Sequence, residues 1–213
     1  MKIPLRELEQ VRQDPQAYLR KRERPKGDDF FRKSKYRTLQ RAALYYHNAK
    51  GDLDKAKEYL QNAYDKFKDK RSLKDDFEKL ENYAAAFENL GNSVFKVRDR
   101  LTLILPEGIS RDLSITAEIP RLDLTSAGYA VWMFSKEPAS LKGELRFPLI
   151  QDTYSKKLSA ALDEVTVGVY DFATSSYETY AFTQREINRA IAELQQLVER
   201  LVSIARPRTL REF

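Results

Sequence analysis

The sequence predicts an α/β protein: a helical N-terminal half followed by a mixed β-sheet flanked by helices, the α+β variant of that class. Three observations carry this. Apolar residues recur at helical spacing as far as Leu90, Gly91 is placed as a C-cap, and the apolar period then shortens. Two strand-like runs, residues 113–119 and 129–134, are joined by a turn at Ser126-Ala127-Gly128. A near-continuous apolar run at residues 164–172 has the composition of a buried central strand.

In order along the chain, residues 3–22 read as two short helices, the second with Asp14 as N-cap and Pro15 at its first position. From Asp28 to Leu90 the pattern is helical. Leu39, Ala42, Ala43 and Tyr46 form one stripe, Leu53, Ala56, Leu60, Ala63, Tyr64 and Phe67 a second, and Phe77, Leu80, Tyr83, Ala84 and Phe87 a third. Residues 48–51 separate the first two, with Asp52 as N-cap. Residues 43–64 resemble a tetratricopeptide-type helical hairpin, but the nearest echo of it, Tyr83 to Gly91, is weak and the pattern turns strand-like straight afterwards, which argues against a repeat array. Residues 94–105 predict a strand closed by Pro106-Glu107-Gly108, and residues 139–162 a helix kinked or divided at Pro148. Residues 177–182 pair with the run at 164–172 across a turn at 173–176. Thr183 and Glu186 open the last helix as a capping box. Residues 1–91 thus form a helical region of one domain, 92–205 its α/β core, and 206–213 a tail.

Composition excludes several chemistries. Without cysteine there is no disulfide, thiolate zinc site, iron–sulfur cluster or cysteine nucleophile. The single histidine, His47, rules out multi-histidine metal centres and reads as a half-exposed residue at a helix end. No apolar run approaches membrane-spanning length, and the first ten residues lack the apolar core of a secretory signal, so a cytoplasmic protein without membrane contact is expected.

The formal net charge of +6 is a modest bias compatible with nucleic acid. Its most concentrated part is Arg20, Lys21, Arg22, Arg24 and Lys26, continued by Arg32, Lys33, Lys35, Arg37 and Arg41 interleaved with Phe30, Phe31 and Tyr36. Basic side chains neutralise phosphates and aromatic rings stack on bases, which suits a nucleic-acid contact. The competing reading is a solvated helix face whose aromatics turn into the core.

The element order and three short motifs resemble the RecB-like branch of the PD-(D/E)XK nucleases. That resemblance implies a restriction-endonuclease-like core. The family carries roughly G-x-I-D-R-I-D on one strand, D-x-K on a second, and Q-x-x-x-Y or Q-x-x-Y on a helix. Its first aspartate and the second strand's carboxylate hold Mg²⁺ or Mn²⁺. Here the first motif falls on residues 117–123. Pro120 takes the place of the metal-binding aspartate, while Arg121 and Asp123 match the motif's arginine and final aspartate. The second falls on residues 133–136, with Phe134 at the carboxylate position and Lys136 retained. Gln151 and Tyr154 fit the helix motif. His47 stands for the family's front-half histidine without the glycine that normally precedes it.

Neither proline nor phenylalanine ligates a cation, so the resemblance implies a catalytically inactive nuclease fold without metal cofactor. Such a protein would be a structural or nucleic-acid-binding subunit of a DNA-processing or anti-invader defence complex, its partners DNA or RNA, another protein, or both. The expected nucleic-acid contacts are Arg20, Lys21, Arg22, Arg24, Lys26, Arg32, Lys33, Lys35, Arg146, Gln151 and Tyr154. One alternative is an active Mg²⁺- or Mn²⁺-dependent nuclease using displaced carboxylates Glu118, Asp123 and Glu144 with Lys136. On a straight strand Glu118 and Asp123 face opposite ways, and Pro120 is the residue that would bend it. In the plain alternative Asp123 pairs with Arg121 or caps a turn, Glu144 is a solvated helix residue and Lys136 a strand-end charge. A third reading makes the helical half a protein-docking module.

Overall fold

Cap residues set most helix boundaries where the sequence predicts them. Asp14 accepts from the Ala17 amide at 2.8 Å ahead of a helix opening on Pro15. Asp52 accepts from the Lys55 amide at 3.0 Å. Thr183 and Glu186 close a reciprocal capping box, Thr183 N donating to Oε2 at 2.8 Å and Glu186 N to Oγ1 at 3.3 Å. Gly91 ends the longest helix of the front half in the left-handed region, at φ 64°.

The computed structural model describes residues 1–23, 35–67, 70–103, 113–135 and 141–205. Among them the order is β1 (Lys2–Pro4), a single 3-10 turn, α1 (Leu8–Gln13), α2 (Pro15–Glu23), α3 (Lys35–Asn48), α4 (Leu53–Tyr64), α5 (Leu73–Leu90) and β2 (Ser93–Thr102). Then come β3 (Ser114–Thr125), β4 (Gly128–Ser135), α6 (Arg146–Leu158), a second 3-10 turn, β5 (Val165–Asp171), β6 (Ser176–Tyr180) and α7 (Gln184–Ala205). The protein is an α/β fold built on one mixed sheet. Strands β2, β3 and β4 are antiparallel in turn, β5 runs parallel to β4 with α6 between them, and β6 closes the other edge antiparallel to β5.

Helices cover both faces. On one face Leu5, Leu8 and Val11 join Phe147, Ile150 and Tyr154 of α6 and Ile187, Leu194 and Leu201 of α7 over Ile115, Ile119, Leu122, Val131, Val165 and Val167. On the other, α3, α4 and α5 bring Leu39, Ala42, Leu60, Tyr64, Tyr83 and Phe87 onto Ala130, Trp132, Tyr170 and Phe172. The helical front half is therefore the cover of one sheet face, and α3 and α4 are a single hairpin with α5 after it.

Two expectations need correction. Residues 2–4 are a strand, added parallel to β3; three residues are too few for a period-2 pattern to register. Leu141, Lys142 and Gly143 form a turn and α6 starts at Arg146, so Pro148 lies in the first helical turn instead of kinking a longer helix. Its missing N–H would have had no intrahelical partner there. The turn predicted at 106–108 and the tail at 206–213 lie outside the described residues.

Candidate functional site

The sheet forks. Along one side of β3, β2 pairs from Thr116 to Leu124. Along the other, β1 ends at the pair Pro4↔Thr116 and β4 ends at Trp132↔Arg121. Residues 117–120 thus have no ladder partner on that side, while Met133, Phe134 and Ser135 continue beside β5 alone. A cleft of about 480 Å³ lies at this fork, its wall including Pro120, Phe134 and Met133 from the sheet and Gln40 and Leu44 from α3.

Opposite Pro120, Arg98 of β2 takes a left-handed backbone, φ 58°. The two residues together reverse the facing of both strands. Asp99 and Leu101 point with Ile119 into the α6–α7 side, whereas Val97 pairs with Arg121, which faces the α3–α5 side. Pro120 offers no N–H to the ladder, and a residue at positive φ turns the chain by the half-step that a regular pleat forbids. The bend anticipated at Pro120 therefore exists, and it puts Glu118 and Asp123 on one face.

Five arginines line the cleft: Arg6, Arg37, Arg41, Arg98 and Arg146, against one carboxylate, Glu118. Arg98 holds Glu118 through Nε–Oε1 at 3.1 Å and Nη2–Oε2 at 3.3 Å. Arg146 Nε lies 2.6 Å from Glu144 Oε2. Among the described residues Arg6, Arg37 and Arg41 have no acidic partner. A row of unpaired guanidinium groups is suited to bidentate capture of phosphate.

Behind the cleft lies a buried charge network. Arg121 is 2% and Asp123 0% exposed. Arg121 Nε donates to Asp123 Oδ1 at 2.5 Å, and Trp132 Nε1 donates to Oδ2 at 2.9 Å. Arg121 Nη1 reaches His47 Nε2 at 3.0 Å, Tyr83 Oη lies 2.5 Å from the same nitrogen, and the guanidinium stacks 4.2 Å over the Phe87 ring. Arginine has no acceptor atom, so His47 Nε2 accepts and the ring is neutral. Burial and the neighbouring Arg121 charge push the His47 pKa down to about 3. Tyr83 is raised, chiefly by burial.

The residues predicted to form a site are dispersed. Arg146 lines the cleft. Arg20, Lys21 and Arg22 lie on α2, away from it, and Arg22 donates to the Lys2 carbonyl at 2.6 Å. Lys35 opens α3, with its ammonium 5.7 Å from the centre of the Tyr64 ring. Gln151 is fully buried: Nε2 donates to the carbonyls of Leu162 at 2.9 Å and Phe182 at 3.1 Å, and Oε1 accepts from Phe182 N at 2.6 Å. Tyr154, also buried, donates to Asp99 Oδ2 at 2.7 Å. Burial would raise Asp99, but Lys157, Lys96 and Tyr154 hold it at about 2. Both helix-motif side chains are thus committed inside the protein. Arg24, Lys26, Arg32, Lys33 and Lys136 lie outside the described residues.

The displaced-carboxylate set does not converge either. Glu118 is held in the cleft by Arg98, Asp123 is sealed under Trp132, and Glu144 sits with Arg12 and Gly143 beside α1. Among the described residues no group of three or more His, Cys, Asp or Glu side chains gathers as metal ligands. Pro120 and Phe134, at the two motif positions, offer no oxygen to a divalent cation. Sequence reading passed over Arg6, Arg98 and Gln40. It noted Arg37 and Arg41 as part of a basic run without placing them on the helix face opposite Leu39, Ala42 and Ala43, which was the available signal.

Fold and cleft together define an α/β protein with an arginine-lined fork in a mixed sheet. Comparison with protein-family models and with curated protein sequences finds no match for this chain. No described helix is long and apolar enough to cross a membrane.

Proposed function

We propose that this chain is a non-catalytic nucleic-acid-binding subunit with a nuclease-like fold in which a basic cleft stands where the metal site would be. One observation carries this. Pro120 and Phe134, matched by short motifs to the two metal-binding carboxylate positions, line the same cleft, and five arginines surround them. Both stand just past the last β3–β4 pair, Arg121↔Trp132, so strand pairing brings them together, and what supports the reading is the basic lining of the cleft they share. Arginine there supplies the charge complement of a phosphate backbone without a cation to activate water. The resemblance to RecB-like nucleases suggests a DNA-processing or anti-invader defence complex as the setting.

The test is fluorescence anisotropy with labelled oligonucleotides between about 50 and 200 mM salt, run beside a cleavage assay in Mg²⁺ and Mn²⁺. Binding that weakens steeply with salt and is lost in Arg41→Glu is expected, with the strands left intact. Manganese-dependent cleavage abolished by Glu118→Ala would overturn the reading, as would affinity unchanged by Arg41→Glu.

A further inference from the structure

Resting on the nucleic-acid reading above, we infer that the cleft takes an unpaired strand, its phosphates on the arginine row of α3 and one base on a tyrosine platform at the row's end.

The exposed face of α3 repeats Arg37, Arg41 and Tyr45 at four-residue intervals, about 6 Å apart along the axis. The opposite face, Leu39, Ala42, Ala43 and Tyr46, is buried in the α3–α5 core, so the row is held rigidly. Arg37 and Arg41 line the cleft. One turn beyond, Tyr45 stacks on Tyr59 of α4, ring centroids 5.1 Å apart and planes 14° from parallel. Tyr45 is 38% exposed and belongs to neither core. Among the described residues it makes no ring contact other than that with Tyr59.

An exposed tyrosine backed by a stacked, half-buried one, in line with unpaired arginines, is the kind of arrangement that single-strand binders use. A duplex keeps its base faces inside its own stack and has none to offer the platform, whereas an unpaired strand does. Guanidinium groups read phosphate and a phenol ring reads any π-face, so sequence preference is weak. Arg6, Arg37 and Arg41 are the cleft cations without an acidic partner among the described residues, and three phosphate contacts on a single strand give a slope of about −2 in log affinity against log salt.

The test is anisotropy titration of the whole protein with labelled 12-nucleotide dT, 12-nucleotide rU and a 12-base-pair DNA duplex. Single strands are expected to bind at least about 10-fold tighter than the duplex. Tyr45→Ala is expected to weaken single-strand binding about 5- to 100-fold, while Tyr45→Phe, which keeps the ring face, retains it. Circular dichroism of Tyr45→Ala checks that the fold is unaltered. The dT and rU arms separate a DNA from an RNA ligand. If the duplex binds as tightly as the strands and Tyr45→Ala changes nothing, while Arg41→Glu abolishes binding, this inference falls and the nucleic-acid reading stands. If none of the three probes binds, both fall.

Discussion

Lys96 and Asp99 stand three residues apart on β2 and still meet on one face of the sheet, Nζ 2.7 Å from Oδ1. In a regular strand they would point to opposite faces. The reversal is made by Arg98 at φ 58° opposite Pro120, and it has two consequences. It sends Asp99 to Tyr154 and Lys157 on α6, and it turns Arg121 and Asp123 toward α3.

Arg98 pays for this geometry in backbone strain, which predicts opposite outcomes for two substitutions. Arg98→Gly relieves the left-handed conformation and loses only an exposed ion pair to Glu118, so stability should change by less than about 1 kcal/mol. Arg98→Val forces a β-branched residue into that region and should destabilise by about 1–2 kcal/mol. Urea unfolding midpoints decide it; equal losses would mean that the side chain, not the backbone, matters. Both variants should bind oligonucleotide more weakly.

His47 is the sole histidine, which makes its titration separable. Its folded pKa of about 3 lies below the unfolded value near 6.5, so between these limits the unfolded chain binds the extra proton. Stability is therefore full above about pH 6.5 and falls as pH falls. From about pH 7 to 5 the loss should be about 1–2 kcal/mol. His47→Gln, which can still accept from Arg121, should flatten that slope. An unchanged slope in His47→Gln would assign the effect elsewhere.

Local patterns made most of the fold legible. Caps at Asp14, Asp52 and Thr183 and the apolar stripes at 39–46 and 187–201 depend on neighbours within a turn, and such signals survive in sequence. What was hidden depends on residues far apart. The Arg121–His47 contact spans 74 positions. The cleft exists because β1, predicted as helix, and β4 both pair with β3 and leave a gap between them. Trp132 reads as a packing residue and is one, but its indole N–H on Asp123 could not be anticipated without the pairing of β3 and β4. The plain pairing of Asp123 with Arg121 was readable, because residues two apart on a strand share a face.

Asp123→Ala would leave the Arg121 guanidinium buried opposite His47 with no counter-charge, at a cost of about 3–5 kcal/mol. Thermal melting should show this drop with or without added Mn²⁺; a variant as stable as the wild type would mean that Asp123 is not sealed in the core. Gly168→Ala should act on the same network from the other side. A Cβ at Gly168 overlaps the six-membered ring of Trp132, so the indole must shift and weaken its bond to Asp123. Near-ultraviolet circular dichroism of the single tryptophan reports that shift directly.

Gln151 separates a structural from a ligand-binding role for the helix motif. Its amide bridges two stretches of backbone, Leu162 ahead of β5 and Phe182 ahead of α7, and these bonds fix α6 against both. Gln151→Leu keeps the bulk but strands a buried N–H and two carbonyls. Each group left unpaired costs about 1–3 kcal/mol, so a total near 3 kcal/mol or more is expected. Gln151→Glu still accepts from Phe182 N, yet while ionised it cannot donate to either carbonyl. Its loss of stability should shrink as pH falls and the carboxyl gains a proton. Nucleic-acid affinity per folded molecule should stay at the wild-type value in both variants, measured below the unfolding transition. If affinity drops with stability unchanged, Gln151 contacts ligand in a state with α6 displaced. If stability drops with affinity unchanged, the glutamine and tyrosine of α6 serve to hold the scaffold on which the arginine row sits.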